Sequence, residues 1–549
     1  MPKYIFVAGG VMSGVGKGVA TASIGKILQS RGYSVSLIKC DMYVNIDAGT
    51  IRPTEHGEVF VGSDGIEADQ DLGTYERFTN QFSTRRHYIT TGQVYAEVIR
   101  KERNLEYGGE DVEVVPDIPN EIIRRIEETG RADESDIVIV EIGGTVGEYQ
   151  NILFLEAARI MKQRYKHDLL FVLVSYLPTP QKIGEMKTKP TQYASRALNG
   201  TGIQADFIIC RSEHPIDQKR REKIALFCNI EPEAAIASPD MDSVYDIPLL
   251  FAKEEFDLKI LSRFGLTPRK QNMADWAALR SKVQKLTDGV TIGMVGKYFS
   301  TGDFTLSDSY ISVVESLKFA AWHLGLKPEL AWIDSEDIEK KKISLATLAK
   351  LGGILIPGGF GSRGVEGKIA AIRCAREGNI PYFGLCFGLQ LMAIEFARNV
   401  LNLKKATSEE FDEHSAYPIV HMMPDQREKL AMKDYGGSMR LGAQPCLLAK
   451  GSVAHGAYER AGWVQKKKEP IVQERHRHRY EVNDEYLGAF EKHGLTASGI
   501  NPERNLVEIM ELKNHPFFVG VQFHPEFLSR PLRPHPLFLE FVRAAHSRR

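Results

Sequence analysis

A glycine-rich turn that directly follows the first apolar run is the feature that most constrains the fold of this chain. Residues 4–8 are apolar, and residues 9–18 read Gly-Gly-Val-Met-Ser-Gly-Val-Gly-Lys-Gly before apolar residues recur at helical spacing. A strand, a glycine-rich turn, a lysine and a helix start form an anion cradle, because backbone N–H groups and the helix dipole converge on phosphate oxygens. The turn predicts a P-loop-like phosphate site; taken alone, the segment also fits an ordinary glycine turn.

Short apolar runs alternate with helical patterns along both halves of the 549 residues. The runs are residues 35–39, 136–142, 169–176 and 205–210 in the first half and 330–333, 354–357, 382–385 and 517–523 in the second. This alternation is typical of parallel α/β sheets. Because the rhythm lapses between residues 264 and 288, we predict an N-terminal α/β domain at 1–266, a linker at 267–289 and a C-terminal α/β domain at 290–549.

Charge and cysteine content narrow the class of protein. Lys and Arg total 70 against 71 for Asp and Glu, a formal net charge of −1, which gives no indication of nucleic acid or membrane as a partner. No apolar run approaches the roughly 18 to 20 residues that span a bilayer. The 6 cysteines include no Cys-x-x-Cys pair, so neither a disulfide scaffold nor a zinc site is predicted. We expect a cytoplasmic enzyme.

Two carboxylates are candidate ligands for the magnesium that accompanies a nucleotide. Gly18 stands where a strict P-loop has Ser or Thr, so the metal ligands are expected elsewhere. Asp71 lies in an acidic loop, and Glu141 ends the apolar run 137–140, at the strand edge where open α/β sheets bind ligands. A basic cluster at 187–192, with Lys223 beyond it, is either a second polyphosphate site or an exposed loop.

The C-terminal half carries a nucleophile motif. Residues 380–390 predict a strand that runs through Gly-Leu-Cys-Phe-Gly into a helix, which places Cys386 at a strained turn and a helix N-terminus. After the strand at 517–523, His524 and Glu526 supply a base and an orienting acid. The glycines in residues 357–361 offer backbone amides for an oxyanion hole. The pattern predicts a Cys-His-Glu triad.

Together, these motifs resemble the CTP synthase family from residue 4 to about residue 542. The most specific matches are Gly16-Lys17-Gly18, residues 56–60, Asp71-Leu72-Gly73, residues 141–147, 187–192, 357–367 and 475–483. The family joins an ATP-dependent amidoligase domain to a class I glutamine amidotransferase domain. The resemblance implies that ATP phosphorylates the uracil 4-oxygen of UTP and that ammonia from glutamine displaces the phosphate.

The resemblance also implies residue roles. Cys386, His524, Glu526, Lys17 and Lys39 would be catalytic, and Asp71 and Glu141 would hold Mg²⁺. The ATP site would comprise Ser13, Gly14, Val15, Gly16, Lys17, Gly18, Val19, Asp71 and Asp240. The acceptor nucleotide would meet Ser13, Lys187, Thr188, Lys189, Gln192, Lys223, Glu148, Tyr149 and Gln150. Glutamine would meet Gly359, Phe387, Gly388, Gln390, Glu410 and Arg479.

Assembly and regulation follow from the same resemblance. The family works as a homotetramer, and residues 436–442, which include Arg440, match its loop that responds to GTP, an allosteric activator. His56 and Val59 match the region that lines or gates the family's ammonia passage.

The departures from the family pattern cluster on the acceptor side. Glu113 and Asp117 replace a glutamine and a histidine, residues 147–150 read Gly-Glu-Tyr-Gln where the family has Gly-Asp-Ile-Glu, and Asn104 replaces an arginine. These changes support an alternative: a divergent paralogue that aminates a different nucleotide or nucleotide-like acceptor, or a CTP synthase with altered CTP feedback. A third hypothesis, a non-catalytic filament-forming relative, is disfavoured because the catalytic residues of both halves are intact.

Overall fold

The computed structural model describes residues 2–182, 184–297, 300–301, 304–305, 307–423, 426–427, 437–465 and 468–548. The chain divides into two compact units. Unit 1 comprises residues 1–48 and 71–280, and unit 2 comprises residues 49–70 and 281–549. None of the helices in the described ranges has the length and apolar character that crossing a bilayer requires.

Unit 1 is built on a parallel sheet of 7 strands. The strands are β1 (Lys3–Gly9), β2 (Val35–Asp41), β3 (Tyr88–Thr90), β4 (Ile137–Ile142), β5 (Leu169–Tyr176), β6 (Phe207–Ser212) and β7 (Ala235–Pro239), in the spatial order β3-β2-β4-β1-β5-β6-β7. The central strands β1 and β4 are buried except at Lys3, the first residue of β1, as expected for a parallel sheet covered on both faces. All of their pairings are parallel, so the carboxyl ends of these strands share one edge.

Helices lie between and after these strands in the sequence. They are α1 (Lys17–Ser30), α2 (Gln70–Thr79), α3 (Thr91–Arg103), α4 (Val114–Ala132), α5 (Ile152–Tyr165), α6 (Lys189–Gly200), α7 (Gln218–Cys228), α8 (Ile247–Lys253), α9 (Phe256–Arg263) and α10 (Ala274–Val283). The stretch predicted as a linker, 267–289, therefore contains helix α10. Trp276 of this helix is 2% exposed and donates a hydrogen bond to the carbonyl of Tyr245.

Unit 2 contains a mixed sheet of 9 strands. Its strands are β8 (Gly289–Gly296), β9 (Lys327–Asp334), β10 (Gly353–Ile356), β11 (Tyr382–Leu385), β14 (Arg440–Leu448), β15 (Ile471–His478), β17 (Leu495–Ile500), β18 (Val507–Leu512) and β19 (Phe518–Val521), in the order β9-β8-β10-β11-β19-β18-β17-β14-β15. The pairs β9–β8, β8–β10, β10–β11 and β11–β19 are parallel. The pairs β19–β18, β18–β17, β17–β14 and β14–β15 are antiparallel.

Smaller elements complete unit 2. A second sheet is formed by β12 (Thr407–Ser408), β13 (Pro418–Met422) and β16 (Tyr480–Val482). The helices are α11 (Ile311–Leu324), α12 (Ser335–Glu339), α13 (Leu345–Leu348), α14 (Val365–Glu377), α15 (Phe387–Asn399), α16 (Val453–Arg460), α17 (Leu487–Lys492) and α18 (Pro536–Ser547). Short ribbons pair Ser300–Thr301 with Phe304–Thr305 and Phe60–Val61 with Glu67–Ala68.

Residues 49–70 belong to unit 2 although the sequence analysis assigns them to the N-terminal domain. Glu58 accepts hydrogen bonds from the backbone and hydroxyl of Ser312, and Arg475 donates to the carbonyl of Val61 at 2.9 Å. Phe60 packs edge-on against Phe527, with ring centroids 5.0 Å apart. These buried contacts fix the segment against the C-terminal fold.

Candidate active sites

The predicted phosphate turn joins β1 to α1 in unit 1. Gly16 is the N-cap of α1 and has φ 91, a left-handed conformation that favours glycine, and Lys17 begins the helix. The Lys17 ammonium donates to the carbonyl of Gly144 at 2.8 Å. Burial lowers the pKa of Lys17, while the negative charge of Glu141 opposes that shift. The residues predicted for ATP at 13–19 therefore form one continuous turn and helix start with a half-buried cation.

Lys39 connects the two predicted metal ligands. Its ammonium lies 2.5 Å from Oδ2 of Asp71 and 2.9 Å from Oε1 of Glu141. Lys39 and Glu141 are register partners on β2 and β4, and Asp71 lies in the first turn of α2. One buried cation thus orients both carboxylates at the carboxyl edge of the sheet.

Tyr75 is a site residue that the sequence analysis missed. It lies four residues after Asp71 on α2, hence on the same helix face, and its hydroxyl donates to Oε2 of Glu141. Burial raises the pKa of Tyr75 well above its usual value, so the phenol remains a donor. Only the three-dimensional pairing of α2 with β4 identifies this residue.

Gly18 makes room for Asp71. A Cβ atom at position 18 would lie 2.0 Å from Oδ1 of Asp71, closer than real atoms approach. A carboxylate oxygen therefore occupies the space that the Ser or Thr of a strict P-loop would fill. With Glu141, it forms the donor set of carboxylate oxygens that Mg²⁺ uses alongside phosphate oxygens and water, so these residues fit the implied metal.

Arg211 is a second residue that the sequence analysis missed. It lies near the carboxyl end of β6, and its guanidinium donates to Oδ1 of Asp240 at 2.7 Å. A Cβ atom at Gly16 would lie 2.8 Å from the same guanidinium. The structure thus joins the predicted ATP residue Asp240 to the phosphate turn through an arginine. The strand-edge rule that selects Glu141 also applies to Arg211.

The residues predicted for the acceptor lie in two groups. Lys189 begins α6, and Gln192 donates to the Thr188 hydroxyl at 3.0 Å. The half-buried Lys187 pairs with Glu185 at 2.6 Å, and the positive charges of Lys187, Arg220 and Lys223 lower the pKa of Glu185. Lys187 and Lys223 therefore act on the same carboxylate, and the predicted basic cluster is spatially connected.

The second acceptor group follows β4. Glu148 accepts a hydrogen bond from the backbone of Thr145 at 3.1 Å, whereas Tyr149 and Gln150 are exposed, Tyr149 to 92%. Of the unusual acids, Asp117 accepts from the backbone N–H of Glu113, the N-cap of α4, at 2.8 Å. Asp117 therefore also has a local role in capping α4.

Cys386 stands at the turn between β11 and α15 in unit 2. Its φ of 49 and ψ of −96 are strained for a residue with a side chain, and it is the N-cap of α15. The thiol is 5% exposed and accepts a hydrogen bond from the Gln522 amide at 3.5 Å. Because Phe387 begins the helix and its N–H has no intrahelical partner, the geometry is that of a nucleophile elbow.

His524 and Glu526 follow β19, the neighbour of β11. Nδ1 of His524 lies 2.7 Å from Oε1 of Glu526, and the imidazole stacks on Phe527 with centroids 5.1 Å apart. Burial lowers the pKa of His524, but the charges of Glu526 and Cys386 outweigh burial and raise it to about 10. The imidazole can therefore hold the proton that leaves the thiol.

A cavity of about 510 Å³ joins these groups to the residues predicted for glutamine. Its walls include Cys386, His524, Gly359, Gln390, Glu410 and Arg479. Arg479 donates to the side chains of Gln426 at 2.8 Å and Ser438 at 3.0 Å, and Gln390 donates to the carbonyl of Tyr480 at 2.9 Å. Phe387 and Gly388, in the first turn of α15, are buried.

The glycine loop after β10 closes one side of this cavity. A Cβ atom at Gly358 would lie 2.8 Å from the His524 ring, so the loop approaches the base closely. Glu410 accepts a hydrogen bond from the backbone N–H of Gly361 at 2.6 Å. Burial raises the pKa of Glu410, while that hydrogen bond and nearby lysines oppose the shift.

The residues predicted to line the ammonia passage and to respond to GTP lie in unit 2. Val59 lines the cavity, and His56 ends the helix Pro53–His56, although its side chain lies outside the described part of the structure. Arg440 is buried and donates to Oε1 of Glu508 at 2.5 Å. Position 436, which begins the segment predicted to respond to GTP, lies outside the described residues.

Comparisons with known proteins find relatives of both halves of the chain. Residues 3–266 match the family model CTP synthase N-terminus, and residues 305–544 match Glutamine amidotransferase class-I, which confirms the predicted two-domain α/β class. A CTP synthase of Symbiobacterium thermophilum is 48% identical, over 99% of this chain and 98% of that protein. A CTP synthase of Pyrococcus abyssi is also 48% identical, with the same coverage.

A solved structure is similar to about half of the chain. The glutaminase domain of Trypanosoma brucei CTPS with bound acivicin is 38% identical, with a TM-score of 0.42, over 47% of this chain and 94% of that chain. The full-length similarity, together with the two family models, shows that this chain belongs to the CTP synthase family.

Proposed function

We propose that the residues of the two sites divide between them the reaction of a CTP synthase, the glutamine-dependent amination of UTP to CTP. Unit 2 releases ammonia from glutamine, and unit 1 uses ATP to activate UTP for attack by that ammonia. The observation that carries this proposal is the strained, helix-capping Cys386, which shares a cavity with the paired His524 and Glu526.

Ammonia release requires a nucleophile, an acid and a base. The Cys386 sulfur attacks the side-chain amide carbon of glutamine, while His524 holds the thiol proton and Glu526 keeps the imidazole oriented. The C–N bond breaks, ammonia leaves with the proton from His524, and a thioester remains. Water then hydrolyses the thioester, and His524 accepts the water proton, which yields glutamate and free thiol.

Charged side chains and backbone groups of the cavity bind the glutamine substrate. One oxygen of Glu410 binds the glycine loop, so its second oxygen can accept from the α-amino group, and Arg479 can pair with the α-carboxylate. Gly359, Phe387 and Gly388 present backbone along the amide, and Gln390 helps to orient the pocket wall. The N–H of Phe387 is a suitable donor to the developing oxyanion.

Unit 1 activates UTP by phosphorylation. The uracil 4-oxygen attacks the γ-phosphorus of ATP, ADP leaves, and ammonia then adds at carbon 4 as phosphate departs. Lys17 and Lys39 offset the negative charge that spreads over the transferred phosphoryl group. Asp71 and Glu141 would hold Mg²⁺, which, when bound, neutralises phosphate charge. Tyr75 and Lys39 keep the two carboxylates oriented.

The two nucleotides bind on different elements. Residues 13–19 cradle the ATP phosphates, and the Asp240–Arg211 pair borders that turn. Lys187, Thr188, Lys189, Gln192 and Lys223 bind the triphosphate of UTP, while Ser13 lies near both nucleotides. Glu148, Tyr149 and Gln150 contact the base and ribose of a bound pyrimidine nucleotide.

We further propose a cytoplasmic homotetramer that GTP activates, without a nucleic acid or membrane partner. Family membership and the near-neutral charge support this assignment. A CTP synthase with altered CTP feedback is a second candidate, supported by the acidic residues Glu113 and Asp117.

The direct test is a product assay with purified protein. ATP, Mg²⁺ and glutamine are supplied with UTP, or instead with other nucleoside triphosphates, and the aminated product is identified by chromatography and mass. We expect CTP from UTP, with one ADP and one glutamate per CTP. Amination of another nucleotide in preference to UTP would contradict the proposal.

A further inference from the structure

One peptide plane of the glycine loop is held from two sides. The Lys297 ammonium donates to the carbonyl of Phe360 and to the carbonyl of Gly361, the latter at 3.2 Å. Oε1 of Glu410 accepts from the N–H of Gly361 at 2.6 Å. The Phe360 carbonyl and the Gly361 N–H belong to the same peptide group, so a lysine and a glutamate bind the two ends of one plane.

The geometry of a trans peptide makes this arrangement a clamp. Its C=O and N–H point in opposite directions, so Lys297 and Glu410 must lie on opposite sides of the plane. Rotation of the plane would break both hydrogen bonds together. Gly358 and Gly359, which precede it, lack the side chains that restrict a backbone, so local preference cannot hold this loop in one conformation.

Burial of the Lys297 ammonium costs free energy, and a gain in folding stability does not explain why it is buried. Lys297 is 1% exposed, and burial lowers its pKa while Glu410 opposes the shift. A buried ammonium is costly unless it is paired and hydrogen-bonded, and such pairs contribute little to net stability. A buried lysine that binds two backbone carbonyls is therefore better explained by the conformation it imposes.

A second buried lysine lies beside the first but lacks its contacts. Lys368 of α14 is fully buried, and its Nζ has no hydrogen-bond partner within the described part of the chain. It lies 5.0 Å from the ring centroid of Phe387. Burial and the charge of Lys297 lower its pKa to about 7. Lys368 thus resembles Lys297 in residue type and burial but makes no such bond to the loop.

We propose that Lys297 is a positioning residue of the glutaminase reaction, which holds the loop around Gly359 in the conformation that stabilises the tetrahedral oxyanion. This inference rests on the proposed thioester chemistry of Cys386. Without the clamp, the thiol and imidazole remain in place, but the loop backbone no longer presents a fixed surface to the developing charge.

The experiment compares Lys297→Met with Lys368→Met in the full-length protein. Removal of one oxyanion donor commonly costs 10²- to 10³-fold, and Lys297 acts indirectly, so we expect its loss to lower kcat for glutamine roughly 10- to 100-fold. The KM for glutamine should change less, and ammonia-dependent CTP synthesis should be retained. Lys368→Met removes no hydrogen bond to the loop, so it should lower kcat for glutamine less than Lys297→Met does.

Alkylation of Cys386 separates loop positioning from general damage to the site. Iodoacetamide alkylates a thiolate by displacement at carbon and forms no oxyanion, so its rate should be the same in Lys297→Met and the parent. The rate is measured by mass spectrometry of the peptide that contains Cys386. The inference would be overturned if Lys297→Met lost alkylation rate and glutaminase rate to the same extent. It would also be overturned if Lys297→Met and Lys368→Met lost the same fraction of glutaminase activity.

A parallel Cys386→Ala variant distinguishes the inference from the function on which it rests. If Cys386→Ala still hydrolyses glutamine, the thioester mechanism itself fails. If Cys386→Ala is inactive with glutamine while Lys297→Met has parental kcat, the mechanism stands and the role of Lys297 is wrong.

Discussion

The carboxylate of Asp71 occupies the space that a side chain at Gly18 would need. A Cβ atom at position 18 would lie 2.0 Å from Oδ1 of Asp71, and the same carboxylate pairs with Lys39. In a strict P-loop, a Ser or Thr hydroxyl at this place binds magnesium. Here a carboxylate oxygen of Asp71 on α2 takes the place of that hydroxyl. The glycine at position 18 of α1 is therefore required by the acid at position 71 of α2.

Gly18→Ser should inactivate the synthetase although it restores the strict P-loop residue. The added Cβ displaces Asp71, so we expect amination to fall about 100-fold or more with either nitrogen source. Gly200→Ala is the matched control because a Cβ atom there meets nothing within 4 Å. CTP formation by both variants is measured with glutamine and with ammonium chloride. If Gly18→Ser had parental activity, Asp71 would not take the place of the P-loop hydroxyl.

Lys17→Ala and Asp71→Asn should each stop amination while glutamine hydrolysis continues. Lys17 and the Asp71 carboxylate stabilise phosphoryl charge, a contribution often worth several kcal/mol in transfer chemistry. CTP and glutamate are measured in the same reactions. Sustained CTP synthesis in both variants would mean that the nucleotide site lies elsewhere.

Structural features that depend on neighbouring residues can mostly be predicted from the sequence. The strand, glycine turn and helix around Lys17 and the elbow at Cys386 are each coded by one short continuous stretch of sequence, and the structure contains both. His524 and Glu526 are also recognisable because they follow a strand directly. Roles taken from family resemblance, such as those of Lys223 and Arg479, remain predictions.

Long-range pairings could not be predicted from one sequence. Tyr75 reaches Glu141 across 66 positions, and Lys297 reaches Phe360 across 63. Residues 49–70 pack with unit 2 through buried contacts to residues more than 200 positions away, such as Glu58 with Ser312. Periodicity reports which face of an element is apolar, but it does not report which distant element covers that face.

Glu526→Gln should move the high-pH limb of glutaminase activity downward. The Glu526 charge helps to raise the pKa of His524 to about 10, so its loss lowers that pKa and the imidazolium loses its proton at lower pH. We expect a shift of about 1 to 2 pH units, with a lower maximum rate. Glutamine-dependent rates are recorded from acid to alkaline pH, and ammonia-dependent synthesis is the control. An unchanged limb would show that Glu526 does not set the charge of His524.

Glu113, the N-cap of α4, and Asp117 in its first turn should weaken nucleotide binding on the acceptor side. A carboxylate in place of a neutral or basic contact costs one to a few kcal/mol when partly buried, or roughly ten- to hundredfold in affinity. UTP should therefore bind weakly, or CTP should inhibit poorly, and Glu113→Gln with Asp117→His should reverse the effect. Steady-state kinetics with UTP, with and without CTP, measure both.

The structure supplies a competing role for one of these acids. Asp117 accepts a hydrogen bond from the N–H of Glu113 at the start of α4, so it also serves helix capping. Thermal unfolding of the double variant therefore accompanies the kinetics. Tight use of UTP and ordinary CTP inhibition in the unmodified protein would show that the two acids are neutral for nucleotide binding.

The central claim is that nitrogen release and nucleotide amination occur at separate sites, and Cys386→Ala tests it most directly. The thiol is needed only to release ammonia, so glutamine-dependent CTP synthesis should disappear while synthesis from ammonium chloride stays near the parental rate. Cys374→Ala, which removes a half-buried thiol that does not line the cavity, is the control. Initial rates of CTP formation with the two nitrogen sources give the result; equal losses with both sources in Cys386→Ala would contradict the two-site account.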